Sequence, residues 1–357
     1  MKYIHPIRHA DPKSLVGQVY VEIRHDFGVV GDPFTLHSPV PELLAGMWSI
    51  VRETTVVGQV HWSLKEAVAA AVSQTNTCPY CVDIHSSLAR QSYTQSLADL
   101  IKQGRTEDIT DPSLRAMVTW ALSLSSPETR LKLPPSYSAQ GAAELMGVAV
   151  AYHYINRLVN VFLSESLLPP LVRGGRLRDR IWSQVGQRLA RGRDQIRPPG
   201  TSLRFLPEAE LPAELSWAAA SSSVRSAFAG WAALVERIGS EILSPQVRTL
   251  VIEILHTWQG QPAGISRGWV ESAVAGLTGA DQAAGRLALL TALASYQVEE
   301  KTIKAFRAHY ATDAHLVGAV AWASAAAARK VASWLQAPPG MEQNPTMPAL
   351  FADPGER

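Results

Sequence analysis

Ser63-Leu-Lys-Glu-Ala-Val-Ala-Ala-Ala-Val-Ser-Gln-Thr-Asn-Thr-Cys-Pro-Tyr-Cys-Val-Asp-Ile-His85 reads as two helices joined by a tight turn. Apolar residues at helical spacing carry the first helix from Ser63 to about Thr75. Ser63 and Glu66 are spaced as a capping box, and Asn76 suits a left-handed helix end. Cys78-Pro79 opens the second helix with proline at its first position. In an antiparallel helical hairpin, positions equidistant from the turn face each other. Glu66, ten residues before Asn76, should therefore meet His85, nine residues after it. Cys81 lies one turn before His85 on the same helix face, and Cys78 is three residues from Cys81. Local geometry alone gathers two thiols, an imidazole and a carboxylate.

Working outward, the rest of the chain keeps the helical pattern. Helices are expected over Pro41–Val51, Ser87–Gln103, Pro112–Leu124, Ala139–Leu163 and Leu177–Arg191, and again from Ser216 to about Gln336. Few stretches read as strands, so the expected class is all-α. Between them, Arg197-Pro198-Pro199-Gly200 and Pro207 to Pro212 read as a linker. The flanking Arg173, Arg176, Arg178, Arg180, Arg188, Arg191 and Arg193 read as a solvated face, with an acidic partner as the minor alternative. The proline-rich end after Ala337 reads as disordered. Glu144–His153 resembles His315–Ser324, and Ser244–Gly276 resembles Ser63–Ser96, so the second half reads as a degenerate, cysteine-free repeat of the first. The expected division is 1–187, a linker at 188–215, the second repeat at 216–336 and a tail at 337–357.

Bulk composition narrows the function. The chain has 357 residues, 46% of them hydrophobic, enough for two domains. Its 33 basic and 31 acidic residues nearly balance, which argues against a nucleic-acid partner. Two cysteines make no disulfide framework. The first fourteen residues hold no apolar signal core, and no uncharged apolar run reaches about 18 residues. A cytoplasmic protein with no membrane partner is expected. In that compartment a C-x-x-C pair is more often redox or metal chemistry than a structural bridge.

Each group has a chemical use. The helix N-terminus favours a thiolate at Cys78, and Cys78 is the expected exposed sulfur. His85 can take a proton from Cys81 or hold a positive charge beside it. Glu66 can orient His85 or accept the proton at the end of the relay. A thiolate that attacks a peroxide O–O bond becomes a sulfenic acid, which the second cysteine resolves to a disulfide. The sequence does not decide which cysteine attacks; Cys81, with its base, is favoured. A zinc site would need a second ligand pair that is missing. A glutaredoxin-like site would need a strand before Cys78, where helix is expected.

Glu66, Cys78-x-x-Cys81 and His85 at this spacing resemble the signature of the AhpD-like alkylhydroperoxidases, within the carboxymuconolactone decarboxylase superfamily. Ala149-Val-Ala-Tyr-His-Tyr-Ile-Asn-Arg157 resembles the family's Asn-Arg helix. The resemblance covers about residues 40–165, and 240–335 as a diverged repeat. It implies an AhpD-like helical fold in two tandem repeats, homo-oligomers, and reduction of a hydroperoxide by a dithiol, either a lipoyl-protein or a thioredoxin-like donor. It implies catalytic roles for Glu66, Cys78, Cys81 and His85. One departure is Tyr80, where some members carry histidine before the second cysteine. Tyr80, His153 and Asn156 are secondary pocket candidates, and Arg157 is an expected ion-pair partner. This chemistry requires no metal, flavin or haem cofactor. Two other functions stay open: a lactone decarboxylase without thiol chemistry, and a non-catalytic module whose dithiol gates assembly.

Overall fold

The computed structural model describes residues 1–93, 97–166, 168 and 175–335. Every regular element among them is a helix. The first half holds α1 (Leu15–Phe27), α2 (Asp32–Thr35), α3 (Pro41–Val51), α4 (Trp62–Thr75), α5 (Pro79–Ala89), α6 (Leu97–Lys102), α7 (Pro112–Ser123), α8 (Ala139–Phe162) and α9 (Gly175–Ala190). The second holds α10 (Ser222–Ile242), α11 (Pro245–Thr257), α12 (Gly268–Ala273), α13 (Gly279–Ala294), α14 (Glu300–Arg307) and α15 (Asp313–Ala332). Proline opens α3, α5, α7 and α11, where its missing N–H costs nothing. Asp111, Ser138, Ser244 and Thr312 each accept a hydrogen bond from an amide of the turn they cap.

The helix expected over Ser87–Gln103 is broken. Residues Arg90 to Tyr93 close in tight turns whose amides bond back to Ser86, Leu88 and Ala89, and α6 starts afresh at Leu97. The expected disordered tail lies outside the described residues. Among those residues, no helix is long and apolar enough to cross a membrane.

Helix α4 is the axis of the first half. It packs against α5, α7 and α8, and every residue from Trp62 to Ser73 is buried. Its four alanines at 67, 69, 70 and 71 let neighbours approach on all sides. A helix buried all round must pair any charge it carries. Lys65 does so with Glu144 on α8, at 2.8 Å. Glu144 also accepts from the amides of Gln59 and Val60. This approach requires Gly58, whose φ is +113° and where a Cβ would collide with the Glu144 carboxyl.

One apolar core runs through both halves. Helix α15 lies along α8, and α10 packs on both α3 and α15. The stretches Glu144–His153 and His315–Ser324, alike in sequence, thus sit in helices that pack on each other. The chain between the halves is bound to the first: Pro198 O accepts from Arg52, Glu53 accepts from Gly200 N and Ser202 Oγ, and Arg197 pairs with Asp26.

Candidate active site

The turn between α4 and α5 sets the geometry. Thr77 N donates to Gln74 O and Cys78 N to Ser73 O, the paired bonds of a Schellman motif. The left-handed residue is Thr77, with φ +52°, and not Asn76, which has φ −88°. Asn76 still continues the α4 ladder, so the reversal comes one residue later than expected. A β-branched residue at positive φ is strained, and here it immediately precedes Cys78. The capping box is also replaced. His61 caps α4 through Nδ1, which accepts from Ser63 N, and this leaves Glu66 free to point elsewhere.

Glu66 points across the hairpin. Its Oε2 accepts from His85 Nδ1 at 2.6 Å, as equidistance from the turn predicts. Its Oε1 accepts from Arg193 Nη2 at 2.5 Å. Burial would push the Glu66 carboxyl up, but Arg193 and then His85 outweigh it and hold the group below the usual carboxylate range. The sulfurs of Cys78 and Cys81 are 2.7 Å apart, with Cys78 donating. Cys78 is 1% exposed, not the open sulfur expected. Burial first, then the hydrogen bond to Cys81, push its thiol well above the usual range and overrule the helix dipole.

Beside this centre lies a cavity of about 130 Å³, walled by apolar side chains that include Phe27, Phe34, Ile84, Leu88 and Ile155. Cys81, His85, Glu66 and Tyr80 open onto it, whereas Cys78 does not. Tyr152 also lines it, edge-on to the His85 ring at 4.5 Å. Burial, and then the neighbouring Glu66, keep the Tyr152 phenol protonated. Glu66 spends its two oxygens on Arg193 and His85. Among the described residues, no three His, Cys, Asp or Glu side chains converge as a metal site.

His153 and Asn156 do not line this cavity. They share a face of α8 with Arg157 and Asn160, and that face meets the turn. His153 Nδ1 and Arg157 Nη1 both reach Asn76 Oδ1 at 3.1 Å. Asn76 Nδ2 donates to Asn156 Oδ1, and Asn156 Nδ2 donates to Ser73 Oγ, both at 3.0 Å. Asn160 donates to Asn76 O and to Ser295 Oγ, also at 3.0 Å. Among the described residues Arg157 has no ion-pair partner: its Nε donates to Ala292 O at 2.8 Å, and burial lowers its pKa to about 10.

Two site residues escape the sequence pattern. Tyr152 belongs to the neighbouring stripe of α8, with Ile155, and reads as core. By sequence Arg193 reads as one of the solvated arginines; Arg180, Arg188 and Arg191 are exposed, but the Arg193 side chain is 3% exposed. Arg178 pairs with Asp83. Arg173 and the Arg176 side chain lie outside the described residues.

Comparison with known proteins places the chain in a family. Residues 41–93 match the model of the carboxymuconolactone decarboxylase family. Over 352 residues the chain is 36% identical to a protein named alkyl hydroperoxide reductase from Mycobacterium tuberculosis, covering 97% of this chain and 100% of that one. The chain belongs to the carboxymuconolactone decarboxylase family and is a full-length relative of that mycobacterial protein. Two solved structures overlap part of it. The AhpD core of an uncharacterised peroxidase-related protein from Ralstonia eutropha is 20% identical, with a TM-score of 0.36, over 44% of this chain and 90% of that one. The apo debrominase Bmp8 is 16% identical, with a TM-score of 0.40, over 52% of this chain and 98% of that one.

Proposed function

We propose that the protein is a thiol-dependent hydroperoxide reductase in which Cys81 attacks, Cys78 resolves, and His85 with Glu66 handles the proton. The observation that carries this is Cys81 at the wall of an apolar cavity, in contact with Cys78 and one turn from the His85–Glu66 pair. The Cys78 sulfur already lies against the Cys81 sulfur, within reach for the resolving step. The Cys81 thiolate takes the terminal peroxide oxygen, the O–O bond breaks, and the leaving alkoxide gains a proton from His85. Cys78 then displaces the hydroxyl from the Cys81 sulfenic acid, forming the disulfide and releasing water. A dithiol donor attacks the disulfide and leaves both cysteines reduced.

The apolar walls favour an organic hydroperoxide over hydrogen peroxide. The buried sulfurs favour a slender donor such as a lipoyl arm over a thioredoxin-like surface. Homo-oligomeric assembly and the division of the chain at 187 and 215 belong to the same proposal. The test is turnover of cumene hydroperoxide with dihydrolipoamide, together with a count of free thiols after stoichiometric peroxide. Wild-type protein should lose two thiols and turn over. Cys81→Ser and Cys78→Ser should each lose turnover by about 10³-fold or more. Full activity in either variant rejects the scheme, and lactone turnover that survives both substitutions selects acid–base chemistry instead.

A further inference from the structure

Arg193 comes from the chain between the halves, beyond the family match at residues 41–93, yet its guanidinium is buried in the relay. Nη2 bonds Glu66 Oε1, and the guanidinium carbon lies 4.7 Å from the Phe27 ring centroid and 5.5 Å from that of Trp62. The backbone around it is anchored. Arg193 N donates to Ala190 O at 3.0 Å, and Asp194 accepts from Trp62 Nε1 at 2.7 Å. Burying a guanidinium is costly unless it is well paired. Here Nε is left without a partner, so the carboxylate contact is the guanidinium's main compensation.

Resting on the peroxidase scheme above, we infer that Arg193 is a positioning residue of the thiol centre. By clamping one carboxylate oxygen it keeps Glu66 an anion and turns the other oxygen onto His85 Nδ1. Nε2 is then the ring nitrogen that exchanges protons with Cys81 and the peroxide. Glu66 thereby orients the imidazole and does not serve as the final proton acceptor. The titratable groups around Glu66 leave this work to Arg193. Lys65 on α4 is committed to Glu144 of α8. Tyr152 of α8 stays protonated. From α5 come His85 itself and Cys81. Without Arg193, burial would act on the carboxyl opposed by His85 and the distant Lys65 alone.

The test uses the full-length chain. Arg193→Gln keeps a hydrogen-bond donor and removes the charge; Arg193→Lys keeps the charge. Two profiles are measured from pH 5 to 9: kcat/KM for cumene hydroperoxide, and the rate of iodoacetamide alkylation at Cys81, located by mass spectrometry. Arg193→Gln should lower both about tenfold near pH 5 and move their acid limbs upward by more than one pH unit. Arg193→Lys keeps the charge but gives up the flat contact with Phe27 and Trp62, so its acid limbs should stay within about 0.3 pH unit of wild type while both rates fall by up to about tenfold at every pH. In a Glu66→Gln background, Arg193→Gln should change nothing more. Profiles that superpose on wild type overturn the inference, as does an equal loss at every pH that persists without Glu66. If Arg193→Gln does not fold, the lysine variant decides: an acid limb moved upward by a full pH unit despite the retained charge overturns, where about one unit is the scale of the effect. If wild type reduces no peroxide, the function is wrong, and the alkylation profile still judges Arg193.

Discussion

Helices α4 and α5 of the first half and α11 and α12 of the second lie in stretches alike in sequence, and they differ first in the connection that joins each pair. Only residues 76–78 separate α4 from α5, whereas residues 258–267 separate α11 from α12. A tight reversal fixes the register between two helices, and a long one does not. Glu66 therefore meets His85 across nineteen residues of sequence. In the second pair, setting Ser266 in the place of Cys78 leaves Glu253 one residue short of the place of Glu66, and both are exposed. Burial differs as well. All of α4 from Trp62 to Ser73 is enclosed, while α11 buries a single stripe of Val247, Val251 and Leu255. An enclosed helix can hold a charged carboxylate among chosen partners. A half-open one presents its carboxylates to water.

The comparison is broken most severely at Glu66. Glu66→Gln keeps the shape and removes the anion, and it should lower kcat/KM for cumene hydroperoxide by about 10²-fold while the far-UV spectrum stays native. An unchanged rate would make Glu66 a packing residue only. The next effect is at the bridge between the halves. Arg157→Met leaves Ala292 O and Asn76 Oδ1 short of a donor, and should cost about 2–4 kcal/mol in urea unfolding. An unmoved midpoint would show that the second half does not brace the cysteine turn. The smallest effect belongs to the second pair. Glu253→Gln and Ser266→Ala should each stay within about 0.5 kcal/mol of wild type, with turnover unchanged. A loss of turnover in either would give the cysteine-free half a chemistry of its own.

What the sequence makes legible follows from locality. Glu66, Cys78, Cys81 and His85 lie on one hairpin, so helix periodicity and a short turn suffice to bring them together. The all-helical class is legible for the same reason, from apolar spacing and from prolines at helix starts. The pocket is not. On α8, His153 and Asn156 attract attention as polar residues on an apolar helix, yet the adjacent stripe, with Tyr152 and Ile155, faces the cavity. Which stripe turns inward depends on how α8 packs against α4 and α5, and a single sequence does not encode that in any short-range pattern. Arg193 is still harder to see. It follows α9 among arginines that are exposed, and only the path of the chain across the first half brings it to Glu66. A buried acid with one visible partner, in a helix closed on every side, is the signal that a distant cation is needed.

The dithiol itself has a consequence for signalling. The two sulfurs already touch, neither reaches the surface, and the turn that carries them is braced on one side by Asn76 and its α8 partners. Sulfurs already in contact need little movement of the turn to join. In the proposed thiol cycle, oxidation is handed on by sulfur exchange with a visiting donor and asks for no change of outline.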